Sequence, residues 1–134
     1  MSLPQEIVAQ SNLLIDKFGY WPEFANFELL RLKLDHSGPL IVMHIYGFHA
    51  FKKTDEDGNP KKANESVITL RFSEVSDITL QGLGERNILS KITFVKIDNL
   101  VQTTIFAASG LNGKIISRAV GVVKIEPYEN RDTE

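Results

Sequence analysis

The first apolar pattern along the chain has the spacing of one face of a helix. Its members are Leu3, Ile7, Val8, Leu14, Ile15 and Phe18. Residues three and four positions apart lie on the same side of a helix, so this spacing predicts one amphipathic helix over residues 3–18. Gly19 follows directly and is a typical helix stop.

After residue 28 the pattern changes to alternation of apolar and polar residues, which is typical of strands with one buried face. Turn sequences rich in glycine, proline, aspartate, asparagine and serine divide this part of the chain into short segments. The segments with a strand pattern lie over residues 30–35, 40–51, 66–72, 78–80, 92–97, 101–107 and 114–125. The pattern therefore predicts about seven strands, with a hairpin at each end of the series.

One helix followed by strands without crossover helices predicts the α+β class. We expect one N-terminal helix packed on a twisted, mainly antiparallel sheet of about seven strands. Residues 1–126 would form a single domain, and residues 127–134 a frayed acidic tail. Residues 52–65 contain four lysines and four acidic residues with almost nothing apolar. They predict a long solvated loop, either a mobile tip or a functional arm.

Composition and charge limit the kinds of partner, chemistry and cellular location that we expect for this protein. Fifteen basic and seventeen acidic residues leave a net charge of -2, which does not predict a nucleic-acid or membrane partner. The chain has no cysteine, which excludes disulfides and thiolate chemistry. The N-terminus lacks a signal-peptide pattern, and no apolar run approaches the ~18 residues of a membrane span. We expect a cytoplasmic protein.

The sequence offers no convincing catalytic or cofactor site. The glycines of residues 82–84 lack the third glycine and the long following helix of a dinucleotide-binding turn. Residues 35–37 have the residue types of a hydrolytic triad, but neighbours in a tight turn cannot align a nucleophile with its base. His44 and His49 are an odd number of positions apart, on opposite faces of a regular strand. We therefore predict no cofactor, no metal and no enzyme activity.

Aromatic residues are concentrated between the predicted helix and the first strand. Five of the chain's twelve lie within ten positions, namely Phe18, Tyr20, Trp21, Phe24 and Phe27. The stretch contains Glu23 but no lysine or arginine, so it does not suit stacking on nucleic acid. Two interpretations stay open for this aromatic junction. It is a structural clamp formed by Trp21, Pro22, Phe24 and Phe27, or its exposed part contacts a partner.

Two blocks of the chain resemble the Imm50-type immunity proteins of bacterial polymorphic toxin systems. The first runs over residues 18–35 and contains Trp21-Pro22-Glu23-Phe24, similar to the Trp-Pro-x-Phe signature before that family's first strand. Trp21, Pro22, Phe24 and Glu28 match the signature, whereas Ala25-Asn26 stands where the family has His-Asp. The second block, residues 67–83 followed by Asn87, is similar to the family's next strands and asparagine-bearing turn.

This resemblance, which spans roughly residues 18–125, implies a cytoplasmic immunity protein that binds and neutralises a cognate toxin domain. It would act as a monomer or weak homodimer. Tight inhibitors use a few hot-spot residues, and the partner-binding candidates are Trp21, Glu23, Phe24, Glu28, Asp77 and Glu85. One alternative is a small-ligand-binding or enzymatic α+β domain whose pocket is lined by His44, Tyr46 and Phe48. Another is a homodimer joined through a sheet edge.

Overall fold

The computed structural model describes residues 3–54 and 60–128, with side chains described for residues 3–49 and 63–128. Two short helices, α1 (Pro4–Ile7) and α2 (Asn12–Phe18), precede six strands. The strands are β1 (Glu28–Asp35), β2 (Leu40–Thr54), β3 (Pro60–Gln81), β4 (Ile88–Ile97), β5 (Leu100–Ser109) and β6 (Asn112–Pro127). Neither helix in this part of the chain has the length and hydropathy of a membrane span. The predicted tail lies outside the described residues from residue 129 onwards.

The strands form a mainly antiparallel sheet that closes into a barrel in the order β1-β2-β3-β6-β5-β4. The prediction of an antiparallel sheet is confirmed, as are the hairpin of β1 with β2 and that of β5 with β6. The prediction of one helix packed on seven strands is wrong in both numbers. The structure is richer in sheet than the sequence pattern suggests.

The segment predicted as a single helix over 3–18 forms two helices separated by residues 8–11. Ala9 is the cause, because its backbone bonds to residues 120–122 of β6 as a parallel bridge, with N···O distances of 2.9 Å. These bonds satisfy polar groups on an edge of β6 that β5 leaves unpaired. The spacing of apolar residues predicts which face of a segment is buried. It does not predict a hydrogen bond to a strand that is distant in sequence. Gly19, at φ +85°, ends α2 as predicted.

Two of the predicted strands are one continuous strand. The break expected between the predicted strands over residues 66–72 and 78–80 is a β-bulge inside β3. Glu74 has a φ of +50° there, and the pairing with β6 shifts register between Val75 and Asp77. A bulge inserts a residue and bends a strand without ending its ladder. The sheet therefore has six long strands where the sequence predicts seven shorter ones.

The loop predicted over residues 52–65 is also shorter than expected. β2 continues to Thr54, and β3 begins at Pro60, with which Thr54 is paired. Ladder hydrogen bonds use the main chain, so a polar sequence can extend a hairpin without an apolar face. The tip of the hairpin, residues 55–59, lies outside the described residues.

Phe24 and Phe27 of the aromatic junction lie in the barrel interior. Phe24 is fully buried, and its ring lies 5.8 Å from that of Trp21 and 5.7 Å from that of Phe27. Phe27 in turn packs on Gly47 of β2, where an added Cβ would come within 2.8 Å of the ring. A glycine at this position allows the aromatic ring to approach the β2 backbone. The junction therefore ties the connection before β1 to the middle of the sheet.

The barrel is closed between β1 and β4 by few hydrogen bonds. Glu28 and Ile88 are the one register pair of these two strands. Three further bonds extend the contact, from Leu29 N–H to the Asn87 carbonyl, from Leu89 N–H to the Phe27 carbonyl, and from Asn26 N–H to the Leu89 carbonyl, each 2.8 Å long. Packing of the aromatic junction supplements this short ladder, since Trp21 also lies 6.0 Å from Phe94 of β4.

Replacing Phe24 by alanine should lower the free energy of unfolding by about 3–5 kcal/mol, because it removes a fully buried ring at the closure. Tyr20→Ala is the matched control. Tyr20 is an aromatic residue of the same segment but is 52% exposed, so its loss should cost under about 1 kcal/mol. Urea unfolding followed by the fluorescence of the single tryptophan, Trp21, measures both. Equal losses for the two variants would contradict the assignment of Phe24 to the core.

Candidate partner-binding groove

A groove lies beside the part of β1 that lacks a second partner strand. Within the described residues, β1 pairs with β4 only at Glu28, so one edge of residues 30–35 has no ladder. β3 likewise runs beyond its last pair with β2, at Ser73, and from there pairs only with β6. Both incompletely paired strand segments contribute residues to the groove.

The groove consists of two adjoining cavities, of about 750 Å³ and about 340 Å³, and we call them together the β1 groove. Leu34 lines both cavities and marks where they meet. The larger cavity is lined by residues 28–32, Leu34, residues 80–85, Asn87 and Leu111. The smaller cavity is lined by residues 34–36, residues 39–41 and residues 75–78. The β1 groove therefore follows β1 over its whole length.

The floor of the β1 groove is apolar because it belongs to the inner face of the barrel. Leu32 and Leu34 are paired with Met43 and Ile41, whose side chains are 1% exposed. Leu34 is nevertheless 62% exposed, since no strand of the described residues covers this end of β1. Leu83 on the opposite wall is 74% exposed. Large exposed apolar side chains grouped in a depression mark interaction sites more often than scattered ones do.

The rim of the β1 groove is mainly acidic. Four carboxylates belong to its lining, at Glu28, Asp35, Asp77 and Glu85, together with one cation, at Arg31.

Within the described side chains, ion pairs join Arg86 to Glu28, at 3.0 Å, and Lys124 to Glu126. The hydrogen bond from Arg86 to Glu28 raises the pKa of the guanidinium. Glu28 is thus neutralised locally, whereas Asp35, Asp77 and Glu85 keep uncompensated charges at the rim.

Asn87 holds the wall of the β1 groove in place. Its side chain is buried, and Oδ1 accepts hydrogen bonds from Gly84 N–H, at 3.1 Å, and from Leu111 N–H, at 3.0 Å. Its Nδ2 donates to the Gly84 carbonyl at 3.1 Å. Gly110, at φ +96°, lies so close that an added Cβ would be 2.8 Å from the Arg86 carbonyl. One amide therefore joins the segment before β4 to the turn between β5 and β6.

Sequence reasoning did not select Asn87 as a candidate, although it noted the asparagine-bearing turn. The available signal was an asparagine three residues after a glycine, in a turn that connects two strands. Asparagine satisfies backbone groups in such turns because its side chain has both a donor and an acceptor.

The six partner-binding candidates fall into two groups. Glu28, Asp77 and Glu85 line the β1 groove, although almost sixty positions separate the first from the last. Trp21, Glu23 and Phe24 belong to the aromatic junction and do not line the groove. Glu23 is exposed and Trp21 is half-buried, whereas Phe24 is 0% exposed and has no surface available to a partner.

Of the residues of the alternative pocket, His44 and Tyr46 lie on the outer face of β2, whereas the ring of Phe48 packs 5.5 Å from that of the buried Phe27. His44 and Tyr46 alternate with inward-facing residues, and all three side chains are half-buried. The Tyr46 hydroxyl donates to Glu65 Oε2 at 2.8 Å, and its ring packs 4.6 Å from that of Tyr128. The cavities of the β1 groove are lined by other residues.

Burial and neighbouring groups shift the pKa values of two of these side chains, Tyr46 and His44. Burial and the bond to Glu65 raise the pKa of Tyr46, so the phenol keeps its proton. Burial and the charges of Arg31 and Lys33 lower the pKa of His44, which favours the neutral imidazole. In the part of the chain that the structure describes, no group of three or more histidine and carboxylate side chains could hold a metal ion.

Comparison with known proteins gives one family. The family model described as Immunity protein 50 matches residues 10–128. The matched range includes the aromatic junction, all six strands and every residue that lines the β1 groove. No curated protein and no solved structure matches the chain.

Asn87→Ala should lower the free energy of unfolding by about 1–3 kcal/mol, because it leaves the buried N–H group of Leu111 and the part-buried N–H group of Gly84 without an acceptor. Asn99→Ala is the control, since Asn99 is an exposed asparagine in the turn between β4 and β5. Its replacement should change stability by under about 0.5 kcal/mol. Thermal unfolding of the two variants tests this role. Indistinguishable melting temperatures would show that Asn87 does not hold the wall.

Proposed function

We propose that this chain, which belongs to the Imm50 family of immunity proteins, binds a toxin domain. The toxin domain is encoded beside the chain, and binding blocks its activity. The observation on which this rests is the family match over residues 10–128, which covers nearly all of the described residues. Fold alone does not specify function, so the proposal depends on the family and on a surface suited to a protein partner.

The β1 groove supports a protein partner. It combines exposed leucines at its floor and wall with charged residues at its rim, as protein interfaces combine an apolar centre with a polar margin. A standard interface buries about 800 Å² on each partner. This is roughly a tenth of the 8442 Å² surface of the structure. An interface centred on the groove can therefore reach the size of a stable complex without involving most of the surface.

Neutralisation by binding requires no chemistry from the immunity protein. The protein accordingly acts as an inhibitor and not as an enzyme, in the cytoplasm and as a monomer or weak homodimer. Slow dissociation would be its main requirement, because differences in affinity between related complexes reside mostly in the dissociation rate.

Co-expression in a bacterial host tests the proposal. The toxin domain encoded beside this chain should stop growth when it is induced alone and should permit growth when the chain is present. The two proteins should also elute together from a size-exclusion column. Ile68→Asp is a suitable control, because it places a charge at a side chain that is 0% exposed and should abolish rescue by unfolding the protein. Toxicity that persists beside the folded wild-type chain, with no complex, would refute an immunity function.

A further inference from the structure

We propose that the β1 groove binds an extended segment of the partner as an added strand, and that this segment presents apolar side chains to the floor and basic side chains to the rim. This inference rests on the proposed function and assigns its contact surface. The contact is a main-chain ladder between β1 and an extended segment of the toxin domain.

The unpaired edge of β1 supplies the main-chain part of the contact. Residues 30–35 have β2 on one side and, among the described residues, no strand on the other. Six residues of strand span about 20 Å. An extended peptide can add to such an edge by ladder hydrogen bonds, with pockets for alternate side chains providing specificity. The edge is thus a template for pairing, and natural sheets usually protect edges of this kind.

The apolar floor supplies the side-chain part. An added strand beside β1 would place every second side chain on the inner face of the barrel, next to Leu32 and Leu34. Leu34 and Leu83 are more than half exposed in the structure and would lose this exposure. Burial of this leucine surface removes apolar area from water and so stabilises the complex. The partner segment is therefore expected to alternate apolar and polar residues.

The charges of the rim select the polar residues of the segment. Asp35, Asp77 and Glu85 have no ion pair within the described side chains, and Arg31 is the one cation of the lining. Opposite charges across an interface accelerate association and exclude wrong partners. The acidic excess favours lysine or arginine at the positions of the bound segment that face Asp35, Asp77 and Glu85. Arg31 and Lys33 of β1 disfavour a cation directly opposite them.

The same charges disfavour a second copy of this chain as the occupant. Two β1 edges paired with each other would bring their acidic rims together. Like charges opposite each other destabilise a strand pair. Charge complementarity therefore points to a different protein with a basic, apolar segment.

Hydrogen–deuterium exchange on the complex with the toxin domain encoded beside this chain locates the contact. We expect slower exchange over residues 29–35 and 80–87 in the complex than in the free protein, because an added strand protects edge amides. An intact complex with unchanged exchange at 29–35, and protection over residues 20–27 instead, would overturn the inference and leave the proposed function standing. The absence of any complex would refute the proposed function and this inference with it.

Two pairs of variants test the floor and the rim separately. Leu34→Lys should raise the Kd for the toxin domain at least about tenfold, as expected for a central apolar contact. Ile97→Lys is its control, since Ile97 is 48% exposed on β4, outside the groove. Glu85→Lys should slow association several-fold and weaken its dependence on salt, whereas Asp16→Lys, a reversal at an exposed position of α2, should not.

Calorimetric melting of each variant confirms that it is folded, and biosensor kinetics give the rates. Binding by Leu34→Lys and Glu85→Lys with wild-type affinity and rates would overturn the inference. Loss of binding in Glu23→Lys alone would also overturn it, because this result would assign the contact to the aromatic junction. Concentration-dependent self-association of the free chain that Leu34→Lys abolishes would assign the edge to a second copy and would also overturn it.

Discussion

The packing of Phe24 and Phe27 inside the barrel is the interaction on which the rest of the structure depends. β1 and β4 share only one register pair, so the ladder alone is a weak closure. The rings of the aromatic junction reach β2 at Gly47 and β4 at Phe94, and they connect the two sides of this short ladder by apolar contact. Side-chain packing thus supplies the attraction between β1 and β4 that their few hydrogen bonds do not supply.

Closure by side chains has a structural consequence for β1. The main chain of the aromatic junction is hydrogen-bonded to β4. Beyond Glu28, no strand of the described residues lies beside β1. The inner face of the barrel is then open at Leu34, and the segment held by Asn87 forms the far wall. One arrangement therefore accounts for both the stability of the closure and the position of the groove. It also explains why an exposed leucine belongs to a face that is buried elsewhere.

Part of this fold could be predicted from the sequence, because local patterns determine it. Alternation predicted the antiparallel sheet and its hairpins, and aromatic density drew attention to the junction between the helical segment and β1. The break in the helix could not be predicted, since it depends on a bond between Ala9 and a strand more than a hundred positions away. The bulge at Glu74 has the composition of a turn. The β1 groove was equally hidden, because Glu28, Asp77 and Glu85 come together only when the barrel closes.

An experimental structure of the chain bound to its toxin domain would show directly which surface holds the partner. We predict a continuous partner segment in extended conformation beside residues 30–35 of β1. Its apolar side chains should lie over Leu34, and its basic side chains within ion-pair distance of Asp77 or Glu85. A partner seated on the aromatic junction or on the outer face of β2, with the edge of β1 still open to solvent, would contradict this prediction.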